Sequence, residues 1–369
     1  MSGPQLDIQL IAAVTAAACA LPGVFLVLRR MAMMSDAISH TVLLGIVLGF
    51  FVIGSLESPL LIPAAAAMGV VTVSLVELLM RTRLVRQDAA IGLVFPALFS
   101  VAVILISRFA RGVHLDVDAV LLGELAFAPL DRVDIGSIDL PRSMVVMGLM
   151  LLVNAVLIAL FYKELKLTTF DAGLAAALGF SPSLVHYGLM IMVSTTAVGA
   201  FDAVGSILVV ALMITPPAAA YLLTNRLSRM LLYSAALAAA GAIGGFWMAW
   251  FLDANIAGSI AATLGVLFLG VFLLAPERGL LAQAARRGRQ RWDFAQTALA
   301  IHLLNHENTP QMASECRVDH LHYHLKWEPD FATTVVEQAE RGGLVNRRNG
   351  DLSLTADGRD RARTALVQS

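Results

Sequence analysis

Cysteine and charge are both scarce in this chain. It has two cysteines, Cys19 and Cys316, and charged residues make up 14% of its 369 residues. Cys19 lies in an apolar run and Cys316 in a polar C-terminal region, so we expect neither a disulfide framework nor thiol redox chemistry. The formal net charge of −1 indicates no particular class of partner.

Lysine is rare as well, and its positions exclude a P-loop. None of the three lysines, Lys163, Lys166 and Lys326, follows a glycine, whereas a phosphate-binding P-loop needs a lysine directly after glycine. The chain therefore cannot hydrolyse ATP through such a loop. If it carries out active transport, a separate subunit must supply the energy.

Long apolar runs are abundant. Hydrophobic residues make up 58% of the chain, and the mean hydropathy is +0.77, which is typical of a polytopic membrane protein. The predicted fold class is all-α, with about nine transmembrane helices. No basic residue precedes Arg29, so we expect the first run to be a retained span and not a cleaved signal peptide. The apolar runs cover residues 7–28, 37–54, 59–80, 90–107, 143–162, 184–200, 204–224, 230–252 and 255–275.

The distribution of basic residues predicts the orientation. With the N-terminus outside, the inner loops and the tail carry most of the arginines and lysines, as the positive-inside rule requires. Among the outer segments only 108–142 contains basic residues, and its acidic residues outnumber them. We therefore expect an external N-terminus and a cytoplasmic C-terminal domain.

The second apolar run begins with a carboxylate and an imidazole. Residues four apart share a helix face, so Asp36 and His40 can point at one spot, with Ser39 beside them. Ionisable residues at bilayer depth usually face a bundle interior or a water-filled path, and this pair suits a divalent metal. The alternative is a helix cap at Asp36 and one interhelical hydrogen bond from His40.

Several separate motifs resemble the membrane permeases of ATP-driven manganese, zinc and iron importers. The signature of that family is a Gly-or-Ser, Asp, Ala, hydrophobic, Ser, His run before a Gly-rich helix, and Ser35–His40 with Gly45 and Gly49 matches it. The resemblance covers about residues 7–275. The other motifs occur in order as Gln87–Gly92, Leu122-Gly123-Glu124, Lys163–Lys166 with Phe170-Asp171, Ala176 and Gly179, and Val204-Gly205 with Leu212–Ala220.

This resemblance implies a homodimeric or pseudo-dimeric permease in the bacterial inner membrane. Two cytoplasmic ATP-binding subunits and an extracytoplasmic metal-binding protein would be its partners. Asp36, Ser39 and His40 would contact the transported ion, which could be manganese, zinc or iron, and no cofactor would be bound permanently. Manganese is preferred only because the C-terminal region resembles iron- and manganese-dependent repressors. A short helix near 170–179, capped by Asp171 and ended by Gly179, would dock into the ATPase through Phe170, Asp171, Ala176, Leu178 and Gly179.

The polar C-terminal region predicts a further domain. We divide the chain into a permease domain at 1–276, a basic juxtamembrane linker at 277–291 and a cytoplasmic domain at 292–369. Apolar residues recur at helical spacing from Phe294 to Leu304, and a second helix is expected over 331–341. The region that follows resembles the hairpin wing and closing helix of a winged helix, an α+β fold, in the DNA-binding part of iron- and manganese-dependent repressors.

Several functions remain open for this tail. Docking or gating is favoured over DNA binding, because acidic residues surround the candidate reading helix and a duplex reader needs a strongly basic face. A third function is metal sensing by His320, His322 and His324, with His302, His306 or Cys316 nearby. In the alternative view of the whole chain, it is a membrane-tethered, metal-responsive regulator that acts through this tail.

Overall fold

The computed structural model describes residues 3–54, 58, 60–109, 125–135, 138–348 and 350–368. The chain divides into two compact units, Met1–Gly279 and Leu280–Ser369. The family motif Leu122-Gly123-Glu124 lies outside the described residues.

Within the described part of the chain, nine helices are long and apolar enough to cross a membrane. They confirm the nine predicted runs, with ends that differ by a few residues. Such ends are hard to predict because polar caps and the first turn lie outside the apolar stretch. The helices are α1 Gly3–Leu28, α2 Ala32–Ile53, α3 Leu61–Arg81, α4 Gln87–Phe109, α5 Arg142–Leu160, α8 Pro182–Val204, α9 Ser206–Leu223, α10 Leu227–Leu252 and α11 Ile256–Leu274.

Among the connections that the structure describes are two short helices and a hairpin. The hairpin pairs β1 Arg132–Ile135 with β2 Ile138–Pro141 in an antiparallel register. Helices α6 Tyr162–Phe170 and α7 Ala172–Ala177 follow α5. The predicted short helix near 170–179, capped by Asp171, is confirmed as α7, and α6 precedes it directly.

Helix α1 is the centre of the membrane unit. It packs against α5, α8, α9 and α10, and small residues let the backbones approach closely. At Gly23, an added Cβ would lie 2.0 Å from the carbonyl oxygen of Met213. Gly45 likewise allows α2 and α3 to approach closely, because an added Cβ would lie 2.7 Å from Cα of Ala65.

Buried polar side chains also join helices of this unit. Asn154 of α5 donates from Nδ2 to the carbonyl oxygen of Ala18, at 3.1 Å, and to Oγ1 of Thr196, at 2.9 Å. Thr72 of α3 donates to Oγ1 of Thr41 in α2, at 2.8 Å. Each bond pairs a group that would be costly to leave unsatisfied in an apolar interior.

The described residues of the second unit are mostly helical and include a two-stranded hairpin. Val345 pairs with Leu354 at the open end of this hairpin, and Arg348 pairs with Asp351 at the turn. The elements are α12 Leu280–His306, α13 Met312–Glu315, a 3₁₀ turn at Val318–His320, α14 Leu321–Leu325, α15 Pro329–Arg341, β3 Val345–Arg348, β4 Asp351–Leu354 and α16 Ala356–Gln368.

The basic stretch predicted as a linker differs from expectation. Residues from Leu280 onward are helical and continuous with the segment up to His306, so one helix of 27 residues replaces a linker followed by a helix. Alanine and arginine, which are frequent here, are strong helix formers.

The buried face of α12 is also shifted from the predicted one. The sequence favoured a row through Phe294, but Phe294 is 77% exposed, and Ala295, Leu299 and Leu303 are buried instead. Two adjacent apolar rows are present, and helical spacing alone gives the period without choosing between them. The prediction for α15 is confirmed, because Val335, Val336 and Ala339 are all buried.

Candidate functional site

Asp36 and His40 lie one turn apart near the start of α2. Oδ1 of Asp36 is 3.6 Å from Nε2 of His40, and their side chains are 35% and 34% exposed. The i, i+4 spacing places them on one face, as the sequence predicted. The pair is thus an oxygen donor beside a nitrogen donor at a partly open surface of the membrane unit.

Two aromatic rings of α4 hold the imidazole of His40. Phe95 stacks on it with ring centroids 5.5 Å apart and an interplanar angle of 22°. Phe99 meets it edge-on at 5.7 Å. Such aromatic contacts are worth about 0.5–1.5 kcal/mol each, so they restrict the ring orientation without using a polar atom.

Ser39, which the sequence placed beside the pair, forms a hydrogen bond within its own helix. Its side chain is buried, and its hydroxyl donates to the carbonyl oxygen of Ser35 at 2.8 Å. Ser35 in turn donates to the carbonyl oxygen of Ala32, at 2.9 Å. The structure therefore brings Asp36 and His40 together and commits the Ser39 hydroxyl to the helix backbone.

The pair can supply two ligands to a divalent metal. Carboxylate oxygen and imidazole nitrogen suit manganese, zinc and ferrous iron. Two ligands are fewer than the four that structural zinc sites use, so an ion held only here would keep water or ligands from elsewhere. This incompleteness favours brief binding over storage.

A second polar cluster links the end of α1 to α3, α6 and α8. Arg29 donates from Nη2 to Oγ1 of Thr168, at 2.9 Å, and from Nε to Oγ1 of Thr169, at 3.2 Å. Its Nη1 lies 3.4 Å from Nδ1 of His186, whose Nε2 lies 3.0 Å from Oε1 of Glu77. Sequence reasoning missed this cluster, because 139 positions separate Arg29 from Thr168.

The predicted coupling segment is exposed and apolar. The carboxylate of Asp171 accepts a hydrogen bond from the backbone N–H of Leu174, at 2.8 Å, and so caps α7. Phe170 is 63% exposed and Leu178 is 61% exposed, while Ala175 is buried. Ala176 is also exposed, and Gly179 has a φ of +86° that suits a residue without a Cβ. Exposed large apolar side chains outside the apolar spans are characteristic of an interaction surface.

A group of histidines lies in the second unit. Ligand atoms of His302, His306 and Glu315 lie within 4.8 Å of one another. Nε2 of His324 is 2.9 Å from Oε2 of Glu315, whereas His320 is exposed. The side chain of His322 lies outside the described residues. Sequence reasoning named His320, His322 and His324, with His302, His306 or Cys316 nearby, and it missed Glu315.

Burial changes the protonation of two groups in this region. It lowers the pKa of His302, so the imidazole favours the neutral form that can bind a metal. It raises the pKa of the Cys316 thiol, which keeps that sulfur protonated and a poor metal ligand.

Comparison with known proteins identifies the family of the membrane unit. The chain belongs to the ABC 3 transport family, whose profile matches residues 6–275. That range contains Asp36, His40 and the segment 170–179, and it ends before the second unit.

Individual relatives extend this result. The zinc transport system membrane protein TroD of Treponema pallidum is 49% identical over 361 residues, which is 98% of each chain. The manganese transport system membrane protein MntD of Bacillus subtilis is 46% identical over 269 residues, 73% of this chain and 91% of the relative. A solved structure, PsaBC from Streptococcus pneumoniae in complex with Fab, matches with a TM-score of 0.63 at 28% identity, covering 75% of this chain and 94% of the other.

Proposed function

We propose that this chain is the membrane permease subunit of an ABC importer for divalent transition-metal ions. The observation that carries the proposal is the Asp36–His40 pair, which presents an oxygen and a nitrogen donor at a partly open position of a membrane helix. Membership of the ABC 3 transport family supports it. ATP hydrolysis belongs to a partner chain.

Manganese or zinc is the proposed cargo, with ferrous iron as a third candidate. The related proteins TroD and MntD carry zinc and manganese in their names, and a chelated iron transport protein, YfeC of Yersinia pestis, is 30% identical over 284 residues. A second permease subunit, identical or related, would contribute its own pair. Two carboxylates and two imidazoles would then form a four-ligand set that suits all three ions.

The proposed partners are those expected of a permease of this family. A cytoplasmic ATP-binding subunit would dock at 170–179, where Phe170 and Leu178 are exposed. An extracytoplasmic metal-binding protein would deliver the ion to the opposite side of the inner membrane. The positive-inside rule supports an external N-terminus and a cytoplasmic second unit.

For the second unit we propose a winged-helix arrangement that acts by docking. The order of α15, the β3–β4 hairpin and α16 supports it. The proposed division stays 1–276, 277–291 and 292–369, but most of 277–291 is the helical start of α12 and not a separate linker. DNA binding is disfavoured because arginines that could contact phosphates pair within the unit. Arg359 binds Oε1 of Glu307 through Nη2, at 2.6 Å, and Nη2 of Arg361 donates to the carbonyl oxygen of Asp293, at 3.1 Å.

Uptake by vesicles that carry the complete complex tests this function. Asp36→Asn and His40→Gln keep the side-chain sizes but remove a charge and an imidazole. We expect either change to reduce ATP-driven manganese and zinc uptake to background while the complex still assembles. Ser39→Ala is the matched control, because Ser39 is buried and its hydroxyl donates to the backbone, and it should retain uptake.

The opposite result would redirect the assignment. Normal uptake by both Asp36→Asn and His40→Gln would rule out the pair as the transport site. Absence of uptake by the native chain with its ATPase would favour the alternative, a membrane-tethered metal-responsive regulator.

A further inference from the structure

We propose that the second unit contains its own divalent-metal site, formed by His302, His306 and Glu315, with His324 as the fourth ligand. The site would bind a cation such as Zn²⁺, Mn²⁺ or Fe²⁺. It is separate from the transport pair and lies in the part of the chain beyond the ABC 3 transport match.

Donor atoms from different elements converge at one place in the second unit. His302 and His306 lie one turn apart at the end of α12, with ring centroids 4.8 Å apart. Glu315 ends α13, and His324 belongs to α14. The rings of His302 and His324 stack at 5.9 Å with an angle of 25°. Three helices thus bring four donor side chains together.

The carboxylate of Glu315 also favours a bound cation. Its side chain is 17% exposed. Oε2 is shielded from solvent and accepts no hydrogen bond of normal geometry within the described residues, although Nε2 of His324 lies 2.9 Å away. An unsatisfied buried carboxylate oxygen is costly. A cation between the carboxylate and the imidazoles would satisfy it.

The donor set also has the right chemistry. Two imidazoles and one carboxylate form a common zinc ligand set, and a third imidazole completes four-coordination. The same nitrogen and oxygen donors accept manganese and ferrous iron.

The donor atoms lie only slightly farther apart than the ligands of a bound ion would. Ligands of a tetrahedral ion, each about 2.1 Å from the metal, lie about 3.4 Å from one another. The ligand atoms of His302, His306 and Glu315 lie within 4.8 Å of one another. Side-chain movements of about 1 Å would therefore close the site, which is within the reach of rotamer adjustment.

The backbone connects this site to the hairpin of the same unit. His302 contacts the carbonyl oxygen of Glu315 through Nε2, at 3.1 Å. The backbone carbonyl oxygen of the adjacent residue, Cys316, accepts a hydrogen bond from the backbone N–H of Leu352, at 2.8 Å. An ion bound at Glu315 would stiffen the join between α13 and the β3–β4 hairpin. If the chain imports metal as proposed above, the site would sense the imported product, and only this consequence rests on the proposed function.

Metal binding by the full chain tests the proposal directly. The purified chain would carry Asp36→Ala and His40→Ala, so that the transport pair cannot contribute, and Zn²⁺ would be measured by equilibrium dialysis. We expect one ion per chain. Glu315→Gln, which keeps the side-chain size, should weaken binding by at least about tenfold. Even residues that only hydrogen-bond to a metal ligand change metal affinity by about 10–100-fold.

Two further variants distinguish a metal site from a general effect. His320→Ala removes an exposed histidine of the neighbouring 3₁₀ turn and should leave binding unchanged. His306→Gln provides a second loss-of-ligand variant if Glu315→Gln fails to fold. Cobalt substitution should give absorption bands of nitrogen and oxygen ligation, and these bands should disappear in His306→Gln.

The outcomes separate this proposal from the transport function. The proposal would be overturned if Glu315→Gln and His306→Gln bound zinc as well as the parent chain. It would also be overturned if the chain carrying Asp36→Ala and His40→Ala bound no zinc. Binding without uptake by the native complex would contradict only the transport function. Uptake without tail binding would contradict only the tail site.

Discussion

The two units offer the same kinds of metal ligand in different surroundings. In the membrane unit, Asp36 and His40 are about one third exposed and supply two donors per chain. In the second unit, His302, His306 and Glu315 converge from two helices and are half-buried. An ion in transit must bind well enough to enter and weakly enough to leave, whereas a sensed ion must stay. If both sites bind metal as proposed, ligand number and enclosure, more than ligand type, would separate these two tasks.

The units also differ in what holds them together. The membrane unit depends on close backbone approach at small residues, as at Gly23 and Gly45. The second unit has a hydrophobic core built from Leu299, Val335 and their neighbours, with ion pairs at its surface. Adding one methyl group at a close backbone contact should therefore destabilise the membrane unit more than removing one ion pair destabilises the second unit.

The largest expected effect is Gly23→Ala. Its Cβ would lie 2.0 Å from the Met213 carbonyl oxygen, so α1 and α9 would have to separate. Overpacking of this kind costs about 1–3 kcal/mol or more. Thermal unfolding and size-exclusion chromatography of the purified chain should show a clear loss of folded protein. Gly92→Ala is the control, because nothing lies within 4 Å of its added Cβ. Equal behaviour of the two variants would contradict the packing account.

Arg29→Ala should have the second-largest effect, which is on the coupling of ATP hydrolysis to metal uptake. Arg29 joins α1 to Thr168 and Thr169 of α6, directly before the segment proposed to dock the ATPase. Hydrogen bonds to charged groups contribute about 1.5–3 kcal/mol, so we expect roughly tenfold slower uptake with ATP hydrolysis largely retained. Arg29→Lys should be intermediate. A parallel fall in hydrolysis and uptake would instead indicate failed assembly.

Removal of the second unit should have a conditional effect. A chain that ends after Gly279, at the boundary between the compact units, should assemble and take up metal at low external supply. At high supply we expect accumulation to rise about fivefold or more, the usual range of an allosteric coupling. Glu315→Gln should reproduce this rise in the full chain, and His320→Ala should not. Reduced assembly would show a bracing role, and assembly without any transport would refute the separation of the two regions.

The smallest expected effect is on the acid stability of the second unit. The hydrogen bond from Arg359 lowers the pKa of Glu307 below its ordinary value. A lowered carboxyl pKa stabilises the fold above the ordinary carboxyl pKa, and this contribution is lost as the pH falls through the folded-state pKa. Arg359→Gln should therefore reduce stability slightly at neutral pH, and the difference from the native chain should vanish at low pH. A difference that is constant with pH would contradict this.

Much of this arrangement could be predicted from the sequence, and the failures share a cause. The apolar runs give the nine helices, and the i, i+4 spacing gives the Asp36–His40 face, because both depend on local periodicity. The buried row of α12, the partner of Arg29 and the contribution of Glu315 to the histidine cluster all depend on tertiary contacts. Glu315 is nine positions beyond His306, with a turn between them, so no periodic pattern joins the two.

The stacking of His40 on Phe95 makes the ligand geometry a shared property of two helices. α2 carries the imidazole, but its ring plane follows a ring on α4, a helix with few buried residues, namely Ala90, Ile91, Val94 and Ala102. A sliding or rotation of α4 would turn the nitrogen donor relative to the Asp36 carboxylate without any change in the backbone of α2. If the pair binds the transported ion as proposed, its affinity would depend on the position of α4, and capture and release would correspond to two orientations of one ring.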